Sequence, residues 1–438
     1  MATKLEISQL DFDGIKDNLK TFLSQQDEFT DYDFEGAGMN VLLDVLAYNT
    51  HYLGYNANML ANEMYLDSAD QRSSVVSLAK QVGYTPRSAV SAQATIDVVV
   101  NNASGATVTM SRGTKFTTTV DGTNYSFVNN ADVSISPVDG VYKFSNLLIY
   151  EGTYLNYKYT ANTSDKDQRF IIPNDNVDTT TLTVKVQESS SDSTTNTYKL
   201  ATGITALDST SKVFFLQEVE GGRYEVYFGD GALGQSIADG NIVILDYVTC
   251  NRDAPNGAST FTLSGSIGGF SSATITTISN ASGGSGPESI TSIKYNAPRD
   301  YGTQDRAVTA EDYKVLVKSL YANAQAVQVY GGEDASVPDY GKVYISIKAK
   351  SGSNLTETTK NSIVQSLKSY AVASVTPVII DPETTFITLT TTFKYDSSLT
   401  TKDISTLQTN VLDAVSSYNI DTLEDFTGMF RYSAVGQI

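Results

Sequence analysis

The 438-residue sequence contains one histidine, one cysteine and no tryptophan. His51 lies inside an apolar stretch and is interpreted as a partly exposed helix residue, because one imidazole alone builds neither a hydrolase triad nor most zinc sites. Cys250 has no histidine near it in the sequence, which argues against a nucleophile. A single cysteine also excludes a disulfide within the chain and a cysteine metal cluster. These absences predict a non-enzyme that needs no cofactor and no metal.

Basic residues are also scarce. The chain has 30 Lys and Arg against 49 Asp and Glu, a formal net charge of −19 at pH 7. Such a surface repels phosphate backbones and anionic membranes, so we expect no nucleic-acid binding. No apolar run reaches the roughly 18 residues of a membrane span, and the first residues lack the layout of a signal peptide. We therefore expect no membrane insertion.

Recognisable ligand-binding motifs are few. Neither a phosphate-binding loop nor a dinucleotide fingerprint opens a helix after a strand. The most suggestive loop has Asp230 between Gly229 and Gly231. A lone carboxylate there is a weak calcium site, and the pattern favours a structural turn in which glycines allow positive φ.

What the sequence does have is a long apolar helix pattern within residues 31–62. From Met39 onward this stretch contains no proline. One seam with heptad-like spacing consists of Val41, Val45, Tyr48, Tyr52, Tyr55 and Met59, and a second consists of Leu42, Leu46, Leu53, Leu60 and Met64. A third stripe is mostly small: Leu43, Ala47, Gly54, Ala57 and Ala61. A helix on one core needs a single apolar stripe, so the pattern predicts a bundle, either internal or shared with other chains.

This bundle hypothesis selects a set of partner-interface residues. They are Val41, Leu42, Val45, Leu46, Tyr48, Asn49, Tyr52 and Leu53. Polar positions such as Asn49 either fix the register of a bundle or face solvent, and the sequence leaves both open.

Composition predicts a multidomain α+β chain with four segments. Residues 1–91 form a helical assembly region, and residues 92–263 form a β-rich, antiparallel domain of one or two modules. Residues 264–286 form a Gly/Ser-rich linker with room for one strand, and residues 287–438 form an α+β domain. The last 16 residues stay apolar to the end, from which we expect the α+β domain to be incomplete at its C-terminus.

Several local signals refine this division. An amphipathic helix is predicted over residues 12–22, and a third helix begins with a capping box of Ser68 and Gln71 and ends at Gly83. A short helix at the start of residues 287–438 is expected to stop at Pro298. Thr309 is expected to cap the next helix, and residues 385–395 read as a strand with an exposable edge.

Three stretches resemble known proteins. Residues 31–50 and 72–86 resemble the N-terminal region of the large baseplate wedge subunit of T-even-type contractile-tailed phages. SRGTKF (111–116), FGDGALG (228–234) and NGA (256–258) resemble the β portion of the wider baseplate J-like family. APRDYGTQDRAVTAEDYKVLV (297–317) is similar to the best-known stretch of that family. The motif residues are Gly229, Asp230, Gly231, Arg306, Val308, Thr309, Asp312 and Tyr313.

The resemblance implies a structural virion protein of the tail baseplate, assembled in the host cytoplasm. It implies a wedge subunit that links wedges into a ring around the tail hub and rearranges when the sheath contracts. Implied partners are other wedge proteins and a second copy of the chain, with the hub and sheath-proximal proteins contacted indirectly. Two alternatives stay open: a receptor- or glycan-binding tail protein, which 27 tyrosines would suit, and a tail hydrolase, which lacks obvious catalytic residues.

Overall fold

The computed structural model describes residues 11–25, 38–165, 168–201, 207–304, 306–321, 324–335, 337–349, 354–355, 357–372, 374–383, 385, 387–390, 403–419, 423 and 426. The chain forms two compact units. The first contains the N-terminal region up to Pro86 with residues 217–222 and 288–298, and the second contains the remainder.

Helices build the first unit. They are α1 (Phe12–Leu23), α2 (Gly38–Glu63) and α3 (Arg72–Gln81). The Asp11 side chain caps α1 by accepting the backbone N–H of Gly14, which satisfies one of the free donors at a helix start. α1 packs along α2. The predicted first and central helices are therefore confirmed.

The start of α3 differs from the prediction. Gln71 is the N-cap residue but makes no side-chain capping bond, and the Ser68 hydroxyl donates to the Asn62 carbonyl oxygen instead. The Glu63 carboxylate accepts the backbone N–H groups of Asp70 (2.9 Å) and Gln71 (3.2 Å). The predicted capping box is therefore wrong, because a side chain from the end of α2 satisfies these donors. The end of α3 is as predicted, since Gly83 directly follows the C-cap residue Val82 and adopts the positive φ (+83°) that is usual for a glycine there.

Pro298 does not end the following helix. α4 spans Ile290–Thr303 with this proline inside it. Ile293 and Ala297 of α4 are fully buried in one core with Val75 and Ala79 of α3. A proline inside a helix removes one backbone N–H hydrogen bond and therefore disfavours continuation of the helix. The packing of Ile293 and Ala297 outweighs this cost, so the helix continues past Pro298.

The central region is β structure. Its strands are β1 (Gln93–Val100), β2 (Val108–Met110), β3 (Lys115–Val120), β4 (Thr123–Asn129), β5 (Val133–Ile135), β6 (Tyr142–Glu151), β7 (Thr153–Thr160), β8 (Phe170–Ile171), β9 (Val177–Gln187), β10 (Thr195–Leu200), β11 (Val213–Glu218), β12 (Tyr224–Phe228), β13 (Ile242–Thr249), β14 (Thr262–Ser264) and β15 (Ala273–Ser282). One sheet has the order β14-β3-β4-β6-β1-β15 and the other the order β7-β13-β9-β10-β11-β12-β8, while β2 pairs with β5. Among the neighbouring strands of these sheets whose residue register is defined, β10 and β11 run parallel and the other pairs run antiparallel.

The two large sheets have separate cores. The first contains Phe116, Phe127 and Phe144, and the second contains Val184, Val226 and Leu245. Strands β7–β13 fall between β6 and β14 in the chain, so the second module is inserted into the first. We call β1–β6 with β14 and β15 the first module, and β7–β13 the inserted module. Of the alternatives that composition left open, the structure has two modules.

The predicted linker at 264–286 contains the one strand for which the composition left room. β15 occupies ten of its residues and pairs antiparallel with β1 over most of its length. Val90 and Ser285 also exchange two backbone hydrogen bonds. The uncharged Thr and Ile residues of this strand suit β structure, even between Gly/Ser-rich ends, and they make β15 an edge strand of the first module's sheet.

The C-terminal region is α+β. It contains α5 (Ala310–Leu320), β16 (Ala324–Gly331), β17 (Lys342–Ala349), α6 (Glu357–Leu367), β18 (Thr376–Ile380) and α7 (Ile404–Tyr418). The sheet order is β16-β17-β18, with the first pair antiparallel and the second parallel. Val327 and Ile345 of this sheet share a core with Leu316 and Leu367 of the helices. The predicted fold class is confirmed, whereas the strand predicted over 385–395 lies mostly outside the described residues.

Candidate assembly surface

One face of α2 is covered. Leu43 and Ala47 are buried, and Asn40 one turn earlier is only 4 % exposed. Lys16 of α1 forms an ion pair with Asp44 beside this face (2.5 Å). The residues follow the i, i+3, i+4 spacing of one helix face. The covered part of α2 is therefore only the beginning of the third, mostly small stripe, and Ala57 further along that stripe is exposed.

The two apolar seams of α2 lie exposed. Ten large apolar side chains between Val41 and Leu60 are at least 40 % exposed: Val41, Leu42, Val45, Leu46, Tyr48, Tyr52, Leu53, Tyr55, Met59 and Leu60. Asn49 is exposed among them. Soluble monomers rarely expose contiguous apolar patches of this kind, and those that exist are commonly interaction sites. All eight predicted partner-interface residues therefore lie together on one continuous surface.

Charge is nearly absent from this surface. Within Gly38–Glu63 the carboxylates are Asp44, paired with Lys16, and Glu63, which receives the N–H groups before α3. The side chains of Tyr48 and Tyr52 lie with ring centroids 5.9 Å apart. A long, apolar and almost uncharged helical surface suits other amphipathic helices, which bury side chains at the same spacing.

Comparison with known proteins identifies the family. The model "Baseplate wedge protein gp6-like, helical domain" matches residues 11–84, which include α1, α2 and α3. "Bacteriophage baseplate wedge protein gp6, third domain" matches residues 157–256, and "Baseplate structural protein gp6, C-terminal domain I" matches residues 309–380. The chain is 30 % identical over 450 residues to baseplate wedge protein gp6 of Enterobacteria phage T4. The chain belongs to the gp6 family of baseplate wedge proteins.

Membership of the gp6 family confirms the recognised resemblance and makes the chain a structural protein of the virion tail baseplate. The alignment to the phage T4 protein covers 96 % of this chain and 66 % of that protein, so the chain spans just under two thirds of its relative. A cryo-EM structure of the anti-feeding prophage (AFP) baseplate aligns with a TM-score of 0.31 and 11 % identity, over 84 % of this chain and 78 % of that chain. A score this low does not establish a common fold.

The motif residues of the β region build a turn. The Asp230 carboxylate accepts the backbone N–H groups of Ala232 (2.9 Å) and Leu233 (3.0 Å), and these bonds lower the pKa of Asp230. Gly229 has no room for a side chain because a Cβ would meet the backbone of Leu233 and Gly234, and Gly231 adopts φ +90°. The conformation of the loop at residues 228–234 is thus explained by its backbone geometry.

The motif residues near 306–313 form the start of α5. Thr309 and Asp312 make a complete capping box, in which Thr309 Oγ1 accepts the Asp312 N–H and Asp312 Oδ2 accepts the Thr309 N–H (2.7 Å). Tyr313 is 1 % exposed in the core, whereas Val308 is 66 % exposed. Arg306 is exposed, and its backbone N–H donates to the Thr303 carbonyl oxygen. These residues shape a helix start and are not brought together with the loop at Asp230 by any described contact.

Sequence reasoning overlooked several buried polar residues. Glu151, Asp178 and Asp246 are each at most 2 % exposed. The signal that was available is their position inside or beside strongly apolar strands, where a carboxylate needs partners. Among the described residues, no group of three or more His, Cys, Asp or Glu is arranged to hold a metal ion, and no described helix is long and apolar enough to cross a membrane.

Proposed function

We propose that this chain links wedge proteins into a ring around the tail hub and rearranges when the sheath contracts. In this proposal α2 joins a helical bundle with another wedge protein. The observation that carries it is the pair of apolar seams exposed on α2. Hub and sheath-proximal proteins are contacted only through the ring.

Burying the two seams of α2 against a partner helix would stabilise the complex through the hydrophobic effect. Burying a Val or Leu side chain fully is worth about 1.5–3 kcal/mol, and the seam side chains are already partly covered, so each offers roughly half of that. Association itself costs about 4–15 kcal/mol. Ten such side chains on one helix together offer about 8–15 kcal/mol, which is comparable with that cost, whereas one or two would fall well below it.

We also propose that the chain has no catalytic activity. Burial raises the pKa of Cys250 to about 11, which leaves little of the reactive thiolate at neutral pH. The Asp230 carboxylate is occupied by backbone donors, as described above. The phage T4 relative is named a baseplate wedge protein, which supports a structural role. No feature of the described residues favours receptor or glycan binding over this role.

A second copy of the chain is the further partner that we propose, through the C-terminal region. The support is α7, in which no side chain is buried and Ile404 and Leu412 are more than half exposed. Sedimentation velocity of the whole chain at tens of micromolar tests the pairing, and a Leu412→Asp variant should sediment as a monomer. An unchanged distribution in that variant would remove α7 from the contact.

The experiment for the bundle uses Leu46→Asp, which puts a charge into the centre of the second seam. We expect co-expressed wedge proteins of the same phage to be lost from pull-downs, because an ionised and unpaired carboxylate is costly to bury. Asn18→Asp is the matched control, since it adds the same charge at an exposed polar position of α1. Equal recovery of wedge proteins with both variants would show that the seams do not bind them.

A further inference from the structure

The two β modules are joined by only two covalent crossings. The chain leaves the first module between β6 and β7, at Glu151–Thr153, and returns after β13, at Cys250. Two strands that cross side by side make a natural hinge, and modules joined in this way move relative to each other unless their interface is well fixed. The side chains around the crossings therefore decide whether the inserted module swings.

Glu151 ties the two crossings together. Its side chain is fully buried, and its two oxygens accept the backbone N–H (2.8 Å) and the side-chain Nδ2–H (2.7 Å) of Asn251. Gly152, the next residue, has φ +129° and no room for a Cβ against the Thr249 carbonyl. The outgoing and returning chains are thus in direct contact and bonded to each other.

Asp178 forms a second connection. It is the second residue of β9 in the inserted module, and its Oδ2 accepts the backbone N–H of Ser91 just before β1 (2.8 Å). Its Oδ1 accepts the N–H and hydroxyl of Thr180. The Ser88 hydroxyl is 2.9 Å from the Thr179 hydroxyl and accepts the Thr179 N–H. The segment that enters the first module is therefore held against the inserted one.

Arg112 makes the third connection, and it belongs to the SRGTKF stretch of the first module. Its guanidinium donates to the Thr181 carbonyl (3.0 Å) and lies 3.4 Å from the Asp246 carboxylate, both in the inserted module. It also stacks over the Tyr154 ring, 5.0 Å from the centroid, a favourable cation–π distance. Within its own module it donates to the Asn130 side chain. Gly113 is required beside it, because a Cβ would come within 2.8 Å of Tyr154.

Asp246 has a full set of partners. Its Oδ1 accepts from the Tyr154 hydroxyl (2.8 Å) and the Asn156 amide, and its Oδ2 lies 3.1 Å from Lys185 Nζ. Burial alone would raise the pKa of Asp246, but the hydrogen bonds from Asn156, Tyr154 and Lys185 hold that pKa below its usual value. A charge that is buried and fully partnered specifies one arrangement of the groups around it.

We propose that Glu151, Asp178 and Asp246 lock the inserted module onto the first, with Arg112 as the side chain that crosses between them, so that the two β modules move as one rigid body. Polar bonds of this kind are directional. They fix the relative orientation of the modules, which a smooth apolar interface would leave free to slide.

The test measures the distance between the modules by pulsed electron paramagnetic resonance. Spin labels go on Lys115→Cys in β3 and Lys158→Cys in β7, both exposed strand positions, while the native Cys250 is buried. The locked arrangement predicts a narrow distance distribution, and Arg112→Ala should broaden it by about twofold or more. Lys143→Ala is the matched control, because it breaks an ion pair with Asp97 inside the first module.

Asp246→Asn keeps the side-chain shape and removes the charge, so it gives the same readout if Arg112→Ala does not fold. Broadening in every junction variant that folds, and not in Lys143→Ala, supports the lock. A distribution as narrow as that of the unsubstituted chain in a folded junction variant overturns it. Equal broadening in the control also overturns it, because the effect would then not be specific to the junction.

Discussion

The α2 surface and the junction between the β modules depart from an ordinary soluble protein in opposite ways. α2 exposes large apolar side chains such as Leu46 and Leu53, while the junction buries the carboxylates Glu151, Asp178 and Asp246. At the junction every carboxylate has partners within the chain. On α2 only the beginning of one of the three stripes, at Leu43 and Ala47, is buried within the described chain. The contrast separates a surface whose contacts are internal from one that needs other molecules.

Removing a junction carboxylate should have the largest effect on stability. In Asp246→Ala the Arg112 guanidinium, 11 % exposed, loses its counterion, and breaking a buried pair costs about 3–5 kcal/mol. Asp97→Ala is the comparison, since its partner Lys143 is 47 % exposed and such pairs are worth about 0–1 kcal/mol. Urea unfolding of both variants measures the difference. Similar losses would mean that the junction carries no more energy than a surface pair.

The pH dependence of stability should separate the junction carboxylates from one another. Burial raises the pKa of Asp178 and of Glu151, in each case against hydrogen bonds that lower it. A group with a raised folded pKa binds its proton more tightly in the folded state. Its contribution to the free energy of unfolding therefore falls as the pH rises from the unfolded pKa, about 4, through the folded one. Asp246 has a lowered pKa and acts in the opposite direction, losing its contribution in acid.

Asp178→Asn isolates one of these contributions. The stability of the unsubstituted chain relative to this variant should grow as the pH is lowered from 7 towards 4, by about 1.4 kcal/mol for each tenfold difference in proton affinity between the folded and unfolded states. Melting temperatures across that range give the measurement. Asp139→Asn, the same substitution in an exposed turn, is the control. A constant difference for Asp178→Asn across this pH range would mean that burial does not favour the protonated form.

Features set by local spacing could be predicted from the sequence. The seams of α2 and the box formed by Thr309 and Asp312 depend on residues three or four apart, which a helix brings together whatever surrounds it. Strands such as β13 and β17 could be predicted because their sequences are runs of apolar, β-branched residues. The exposed surface of α2 was likewise predictable, because three stripes cannot all face one small neighbour.

Features set by distant residues could not be predicted. Arg112 and Asp246 are 134 positions apart, and nothing local marks them as neighbours. The insertion of β7–β13 was hidden because its strands resemble those of the first module in composition. Ser68 and Gln71 fitted a capping box, yet Glu63 takes that role through the turn after α2. Pro298 failed as a stop because Ile293 and Ala297 are packed against α3.

The smallest expected effect on stability tests the other half of the comparison. Leu46→Asp should change the free energy of unfolding of the isolated chain by no more than about 0.5–1 kcal/mol, since Leu46 is 52 % exposed and the change mainly costs helix propensity. Leu43→Asp, one turn earlier and 3 % exposed, should cost several times more, because its carboxylate would be buried against α1. Urea unfolding followed by circular dichroism compares the two. If Leu46→Asp were as destabilising as Leu43→Asp, the seams of α2 would already be buried within the chain, and the bundle would need no other protein.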